Sequence, residues 1–224
     1  MLIKTRGIVF RFVRYGDSSL IVTIFTEQAG LQSFMVKGVR KSSKGSKIAL
    51  FQPLTMLDLV VSQKEHSNIQ FIKEVRCNHV YRNIPGNPLR EAIGFFITEV
   101  MNRSIREQSH AEDLFVFLQK QLLLLDSDDV RLKDFHLFFM IGLCRYLGFG
   151  VQQPEEITSG KIIPSELNTG LLELLSGREI NLNYNQRQDL LNLISSFYRD
   201  HIENFGTLNS IEILQEVLRQ RTSG

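Results

Sequence analysis

Tryptophan is absent from this 224-residue chain, and cysteine occurs only twice, at Cys77 and Cys144. Two thiols exclude a disulfide framework and any structural zinc held mainly by cysteines, which needs four Cys/His ligands, usually in paired short spacings. Cys77 and His79 make one such pair and His66 could add a third ligand, so the set is incomplete and no metal is expected. No apolar run approaches the roughly 20 residues needed to span a bilayer. The opening Met1-Leu-Ile-Lys-Thr-Arg6 carries charge where a signal peptide needs its apolar centre. A cytoplasmic protein with reduced thiols is expected. A Gly-x-x-x-x-Gly-Lys-Ser/Thr loop is also missing, which argues against P-loop nucleotide hydrolysis. The five histidines and the serines form no nucleophile motif.

One absence is local. Residues 37–47, Lys-Gly-Val-Arg-Lys-Ser-Ser-Lys-Gly-Ser-Lys, hold five cations and no acid. Within residues 1–50 nine Lys/Arg face only Asp17 and Glu27, a balance of +7, whereas the whole chain carries +2. A cationic end on a body of opposite sign is built for a polyanion. Lys37, Arg40, Lys41, Lys44 and Lys47, supported by Arg6, Arg11 and Arg14, are the candidate phosphate contacts. Such residues neutralise phosphates and release counterions without reading sequence. With no tryptophan available, base stacking falls to Tyr15 and Phe34, and less to Phe12, whose position beside Ile8 and Phe10 suits a core.

Apolar residues alternate with period 2 through the first 80 residues. Runs around Ile8–Val13, Leu20–Phe25, Leu31–Val36, Leu54–Val61 and Asn68–Val75 are separated by turns such as Tyr15-Gly-Asp-Ser18 and Glu27-Gln-Ala-Gly30. Five short strands over this length suggest a small barrel of the OB-fold kind. Near residue 80 the period changes. Ile84-Pro-Gly-Asn-Pro88 is a break in which Asn87 suits an N-cap and Pro88 the first helical position. The 3–4 spacing of Leu89, Ile93, Phe96, Ile97, Val100 and Met101 then predicts a helix with one buried stripe. Further helices are predicted around Leu114–Leu125, Phe135–Leu147, Gly170–Leu175, Asn185–Glu203 and Ser210–Arg219. The expected class is α+β: an N-terminal five-stranded OB-fold barrel (1–80) that carries the cationic surface, then an all-α helical C-terminal domain (81–224).

The acidic cluster Asp126-Ser-Asp128-Asp129 could serve a metal-dependent nuclease. Helix capping explains it better, because Asp favours a helix N-terminus. No catalytic residue and no cofactor is expected.

Thr5-Arg6-Gly7-Ile8-Val9, Tyr15-Gly16-Asp17-Ser18, the strand Ile21–Thr26 with Gly30, Lys37-Gly38-Val39-Arg40 and Phe51-Gln52-Pro53-Leu54 occur in this order. Together they resemble the RecO family of bacterial recombination mediators. Phe139–Leu147 with Gly148-Phe149, and Leu208-Asn-Ser210-Ile-Glu-Ile-Leu214, resemble two later helices of that family. Many relatives carry a four-Cys zinc element after the Leu-Gly-Phe segment. Residues 151–169 contain no Cys, so a metal-free connection is expected there. The resemblance implies a non-enzymatic protein that binds single- and double-stranded DNA and anneals strands. It also implies help in loading recombinase onto DNA coated by single-strand-binding protein. The implied partners are RecR and the acidic C-terminal tail of single-strand-binding protein. A tail ending in an apolar residue needs a hydrophobic pocket beside a cation, for which Lys133 and Arg145 are candidates. The competing reading is an adaptor whose basic domain meets an acidic protein rather than DNA.

Overall fold

The computed structural model describes residues 2–39, 47–63, 67–106 and 111–222, with backbone alone for Lys47, Arg221 and Thr222. Arg40, Lys41, Lys44 and His66 lie outside the described residues, as does the side chain of Lys47. The chain divides into two compact units, Met1–Arg82 with Ile105–Leu124, and Asn83–Ser104 with Leu125–Gly224.

The first unit is a closed barrel. Its strands are β1 (Leu2–Tyr15), β2 (Ser19–Thr26), β3 (Gly30–Val36), β4 (Met56–Ser62) and β5 (Ile69–Cys77). They run in the order β1-β2-β3-β5-β4, with β4 returning to β1. Neighbours are antiparallel except β3 and β5, which are parallel through Ser33↔Ile69, Phe34↔Gln70 and Met35↔Phe71. This is the five-stranded OB-like barrel the alternation predicts. Closure gives each of the five described strands a neighbour on both sides.

The interior is filled by Val9, Leu20, Val22, Ile24, Phe34, Leu57, Leu59 and Val61. Two plugs from outside the strands join them, Val39 and, from a short 3-10 turn (Lys47–Phe51), Phe51. Gly7 is required by close approach: a Cβ there would lie 2.6 Å from Ile24 Cγ2 and 2.9 Å from Leu59 Cδ1. Strict alternation along β1 fails at Phe10, because the register shifts between Val9 and Arg11. Just before β4 begins, Val9 bonds Thr55 and Leu54 through its own N–H and C=O, at 3.0 and 2.8 Å. The bulge lets Ile8, Val9 and Phe10 all be buried, and Phe10 stacks on Phe25 with ring centroids 5.7 Å apart.

Helix α2 (Ala111–Asp126) contributes residues 111–124 to the same unit. The Arg6 guanidinium joins it to the barrel. Arg6 pairs with Glu27 through Nε at 2.8 Å and through Nη2, donates from Nη1 to Gln119 Oε1 at 2.9 Å, and lies 5.1 Å from the Phe115 ring centre.

The second unit is helical: α1 (Pro88–Ser104), α3 (Phe135–Cys144), α4 (Pro154–Thr158), α5 (Ser165–Leu175), α6 (Tyr184–His201) and α7 (Ser210–Thr222). Asn87 caps α1, its Oδ1 accepting from the N–H of Leu89 and Arg90 at 3.2 and 3.3 Å. The buried stripe of α1 contains the six residues its spacing predicts. A carboxylate ties α1 to α7. Glu99 accepts from Asn209 N, Ser210 N and Ser210 Oγ at 3.0, 2.8 and 2.6 Å, which caps the N-terminus of α7. Burial works against its ionisation, but the Ser210 and Asn209 hydrogen bonds and the nearby Arg103 charge hold its pKa below the usual value. In the Cys-free connection, residues 151–169, the chain forms α4 and enters α5.

Candidate nucleic-acid interface

The β register builds the candidate surface. Along β1 beyond the bulge, Arg11, Val13 and Tyr15 occupy alternate positions on one face, and all three are exposed, Val13 to 59% and Tyr15 to 57%. Val13 stands opposite Ile21, Ile21 opposite Met35, and Met35 opposite Phe71. The result is an apolar row across β1, β2, β3 and β5 on the outside of the barrel, with Ile21, Met35 and Phe71 half-buried. Lys37 Nζ sits 6.0 Å from the Phe71 ring centre. Tyr15 stands opposite Ser19 at the β1–β2 turn.

The basic segment is anchored at the same end. After β3 the exposed Lys37 precedes Gly38, whose φ of +73° is left-handed and suits glycine. That turn sends Val39 into the barrel core, and its N–H bonds the carbonyl of Ser18 in the β1–β2 turn at 3.0 Å. Gly38 and Val39 are therefore a turn and a plug. The pair places Val39 against the β1–β2 turn, where Arg14, Ser18 and Val39 line one small pocket.

The predicted site residues separate on this frame. Arg11, Arg14, Tyr15 and Lys37 are exposed. Phe34 is not available for stacking: it is 1% exposed and belongs to the interior, one register step from the outward Met35. Phe12 is half-buried against the same core. Arg6 is committed to Glu27 and α2, which occupies the guanidinium a phosphate would need. Its hydrogen bond with Glu27 raises its pKa, and the same contact lowers that of Glu27. Phe71 is the aromatic that sequence reasoning missed. Its strand and face are visible in the alternation, but its place beside Met35 depends on the parallel β3–β5 pairing.

The remaining candidates lie elsewhere. The Asp126 carboxylate ends α2 and accepts from the backbone N–H of Asn83 and Ile84 at 2.8 and 3.1 Å, a cap on the connection rather than on a following helix. Among the described residues no three His, Cys, Asp or Glu side chains gather as a metal site. Cys77 is exposed, its Sγ 3.1 Å from the His79 carbonyl oxygen. No helix of the described residues is long and apolar enough to cross a membrane.

In the helical unit a cavity of about 410 Å³ is lined by Leu89, Val130, Leu132, Leu191 and Leu218 together with Lys133, His136 and Arg187. Lys133 is thus at a pocket. Arg145 is not among its lining residues, because it follows α3 while Lys133 precedes it, and a ten-residue helix separates them by roughly 15 Å. Arg187 and His136 gave no sequence signal. The partner that holds Arg187, Asp134, is 53 positions away.

Comparison with known proteins agrees with this architecture. Residues 1–81 match the family model for the recombination protein O N terminal domain, and residues 86–168 match the model for its C terminal domain. A DNA repair protein RecO from Christiangramia forsetii is 32% identical over 241 residues, covering 97% of this chain and 99% of the relative. Proteins of the same name from Bacteroides fragilis and Flavobacterium psychrophilum are 31% and 33% identical with the same coverage. Full-length similarity to these proteins, with both domain models matched in order on a barrel and a helical unit, establishes that the chain belongs to the RecO family.

Proposed function

We propose that this chain acts in DNA repair as a non-enzymatic recombination mediator that binds and anneals DNA strands and helps recombinase load where single-strand-binding protein coats the DNA. The observation that carries the reading is the outer apolar row Val13–Ile21–Met35–Phe71. It is flanked by Arg11, Tyr15 and Lys37, and Lys37 opens the stretch 37–47 that holds five cations and no acid. Cations hold phosphates, and Tyr15 and Phe71 offer faces to bases. Stacking on each is worth roughly 1–3 kcal/mol. Annealing on such a surface is electrostatic: neutralising two backbones at once lowers their mutual repulsion, and no bond is broken.

RecR and the acidic tail of single-strand-binding protein are the proposed protein partners. The pocket beside Lys133 supports the tail, since it pairs an apolar lining with positive charge. A strand-annealing assay with complementary labelled oligonucleotides tests the reading. Annealing should fall as salt rises and as Arg11, Arg14 and Lys37 are changed together to Glu. Annealing unaffected by both changes would overturn it.

A further inference from the structure

Helices α1 and α7 lie antiparallel, because Glu99 caps the start of α7 at Ser210 while Leu89 and Leu218 meet at their other ends. Phe95 stands one turn before Glu99 on α1, and Ile213 one turn beyond Ser210 on α7, so the two are level across the helix pair. Both are left in solvent, 63% and 54% exposed. The rest of α1 is nearly submerged: of its 17 residues only Pro88, Glu91 and Phe95 are exposed. Carboxylates rim the apolar pair. Glu91 precedes Phe95 by one turn, Glu212 adjoins Ile213 and Glu216 follows it by one turn, and all three are exposed. Arg103 answers Glu99 at 2.6 Å and Arg219 answers Glu216 at 3.2 Å, whereas among the described residues no ion pair compensates Glu91 or Glu212. A single exposed apolar side chain is ordinary. Two side by side within an acidic rim make a ridge that suits a basic, apolar partner.

The same chain carries the complement. On the barrel, Val13 and Tyr15 are 59% and 57% exposed, and the exposed Arg11, Arg14 and Lys37 beside them have no ion-pair partner among the described residues. We propose that the α1–α7 ridge docks the barrel end of a second copy of this chain, so that the protein associates with itself head to tail while no DNA is bound. Two apolar side chains meet two, and three cations meet the acidic rim. Opposite charge orients the surfaces, and apolar contact holds them. The contact is heterologous, since each copy gives one surface and receives on another. Nucleic acid is excluded from the ridge because carboxylates repel phosphates, and an acidic protein is excluded for the same reason. A second copy brings the required basic, apolar surface at the chain's own concentration. The proposal leans on the nucleic-acid reading in one respect. Arg11, Arg14, Tyr15 and Lys37 cannot hold a DNA strand and a second copy at once, so DNA releases the association.

The test is sedimentation velocity of the full chain over a hundredfold range of concentration, from low to moderate salt. At low salt the average mass should climb from that of one chain toward that of two or more as concentration rises, and it should return to one chain as salt screens the contact. Phe95→Ser with Ile213→Ser leaves every charge in place and should keep the chain monomeric. These are exposed positions, so thermal melting should show the fold kept. A charge exchange gives the second arm. A chain with Glu91→Lys and Glu212→Lys, and another with Arg11→Glu, Arg14→Glu and Lys37→Glu, should each stay monomeric alone and associate when mixed. A single-chain mass at every concentration in low salt would overturn the proposal. So would association that survives the Phe95 and Ile213 changes, because the contact would then lie elsewhere. Excess dT oligonucleotide should return the unaltered chain to one copy per complex. Oligonucleotide bound to an intact dimer would overturn the barrel end as the docked surface. No binding of the oligonucleotide at all would strike the nucleic-acid reading instead, and the two sets of variants would still decide the self-association.

Discussion

Phe34 and Tyr15 are both strand aromatics, and what separates them is which face of the barrel they occupy. Phe34 fills the interior, so Phe34→Ala should cost about 3–5 kcal/mol of stability, read as a lowered midpoint in denaturant. Tyr15→Ala should leave that midpoint nearly unchanged and weaken single-stranded DNA binding by roughly 1–3 kcal/mol in fluorescence anisotropy. Phe71→Ala should weaken DNA binding in the same range with a modest stability loss, because the ring is half-buried. The reverse pattern, Phe34→Ala stable and defective in binding, would contradict the placement. Cysteine reactivity follows the same distinction. Cys77 is exposed, whereas burial pushes the Cys144 thiol up to about 12. A thiol reagent should therefore modify one cysteine quickly and the second only on unfolding. Alternation gave the strands but not these fates, because the bulge at Phe10 breaks the period and only pairing fixes the outward row. Arg6 was unreadable for a different reason. A cation in a basic stretch looks like a phosphate ligand until Glu27, Gln119 and Phe115 are seen around it.

Among the elements, helix ends show how much can be anticipated locally and where distance defeats the sequence. Asn87-Pro88 announces α1 because cap and first turn are neighbours in the chain. The cap of α7 is invisible in this way, since Glu99 comes from α1, 111 positions before Ser210. Glu99→Gln should lower stability at pH 7 by about 1–3 kcal/mol, the cost of weakening hydrogen bonds to a charged, partly buried group. The sign with pH is fixed by the depressed pKa. The ionised form stabilises the folded state above the ordinary carboxylate pKa, and this contribution is lost as pH falls through the lower folded value. Thermal melts of both proteins should differ at pH 7 and converge in acid. A difference that persists unchanged to the lowest pH at which the protein folds would refute the role. The Lys37-Gly38-Val39 turn is the opposite case: its glycine and apolar plug are adjacent, and the motif was legible before its purpose was.

For the whole molecule, the asymmetry of charge was plain in the sequence and supplies the central claim: the barrel end of the chain is a surface for nucleic-acid phosphates. The helical unit was far less legible. Its stripes could be read, but the cavity exists only where α1, α6 and α7 bring Leu89, Arg187 and Leu218 together with residues around the start of α3. The measurement that tests the central claim most directly is the salt dependence of anisotropy for a labelled single-stranded oligonucleotide. It compares the unaltered chain with one in which Lys37, Arg40, Lys41, Lys44 and Lys47 are changed to Glu. Binding should weaken steeply with salt in the unaltered chain and without sequence preference. The log–log slope should fall by roughly 0.7 for each residue that had held one phosphate. An unchanged slope in the altered chain would contradict the phosphate assignment. No binding at low salt by either chain would leave the basic barrel as a surface for an acidic protein instead.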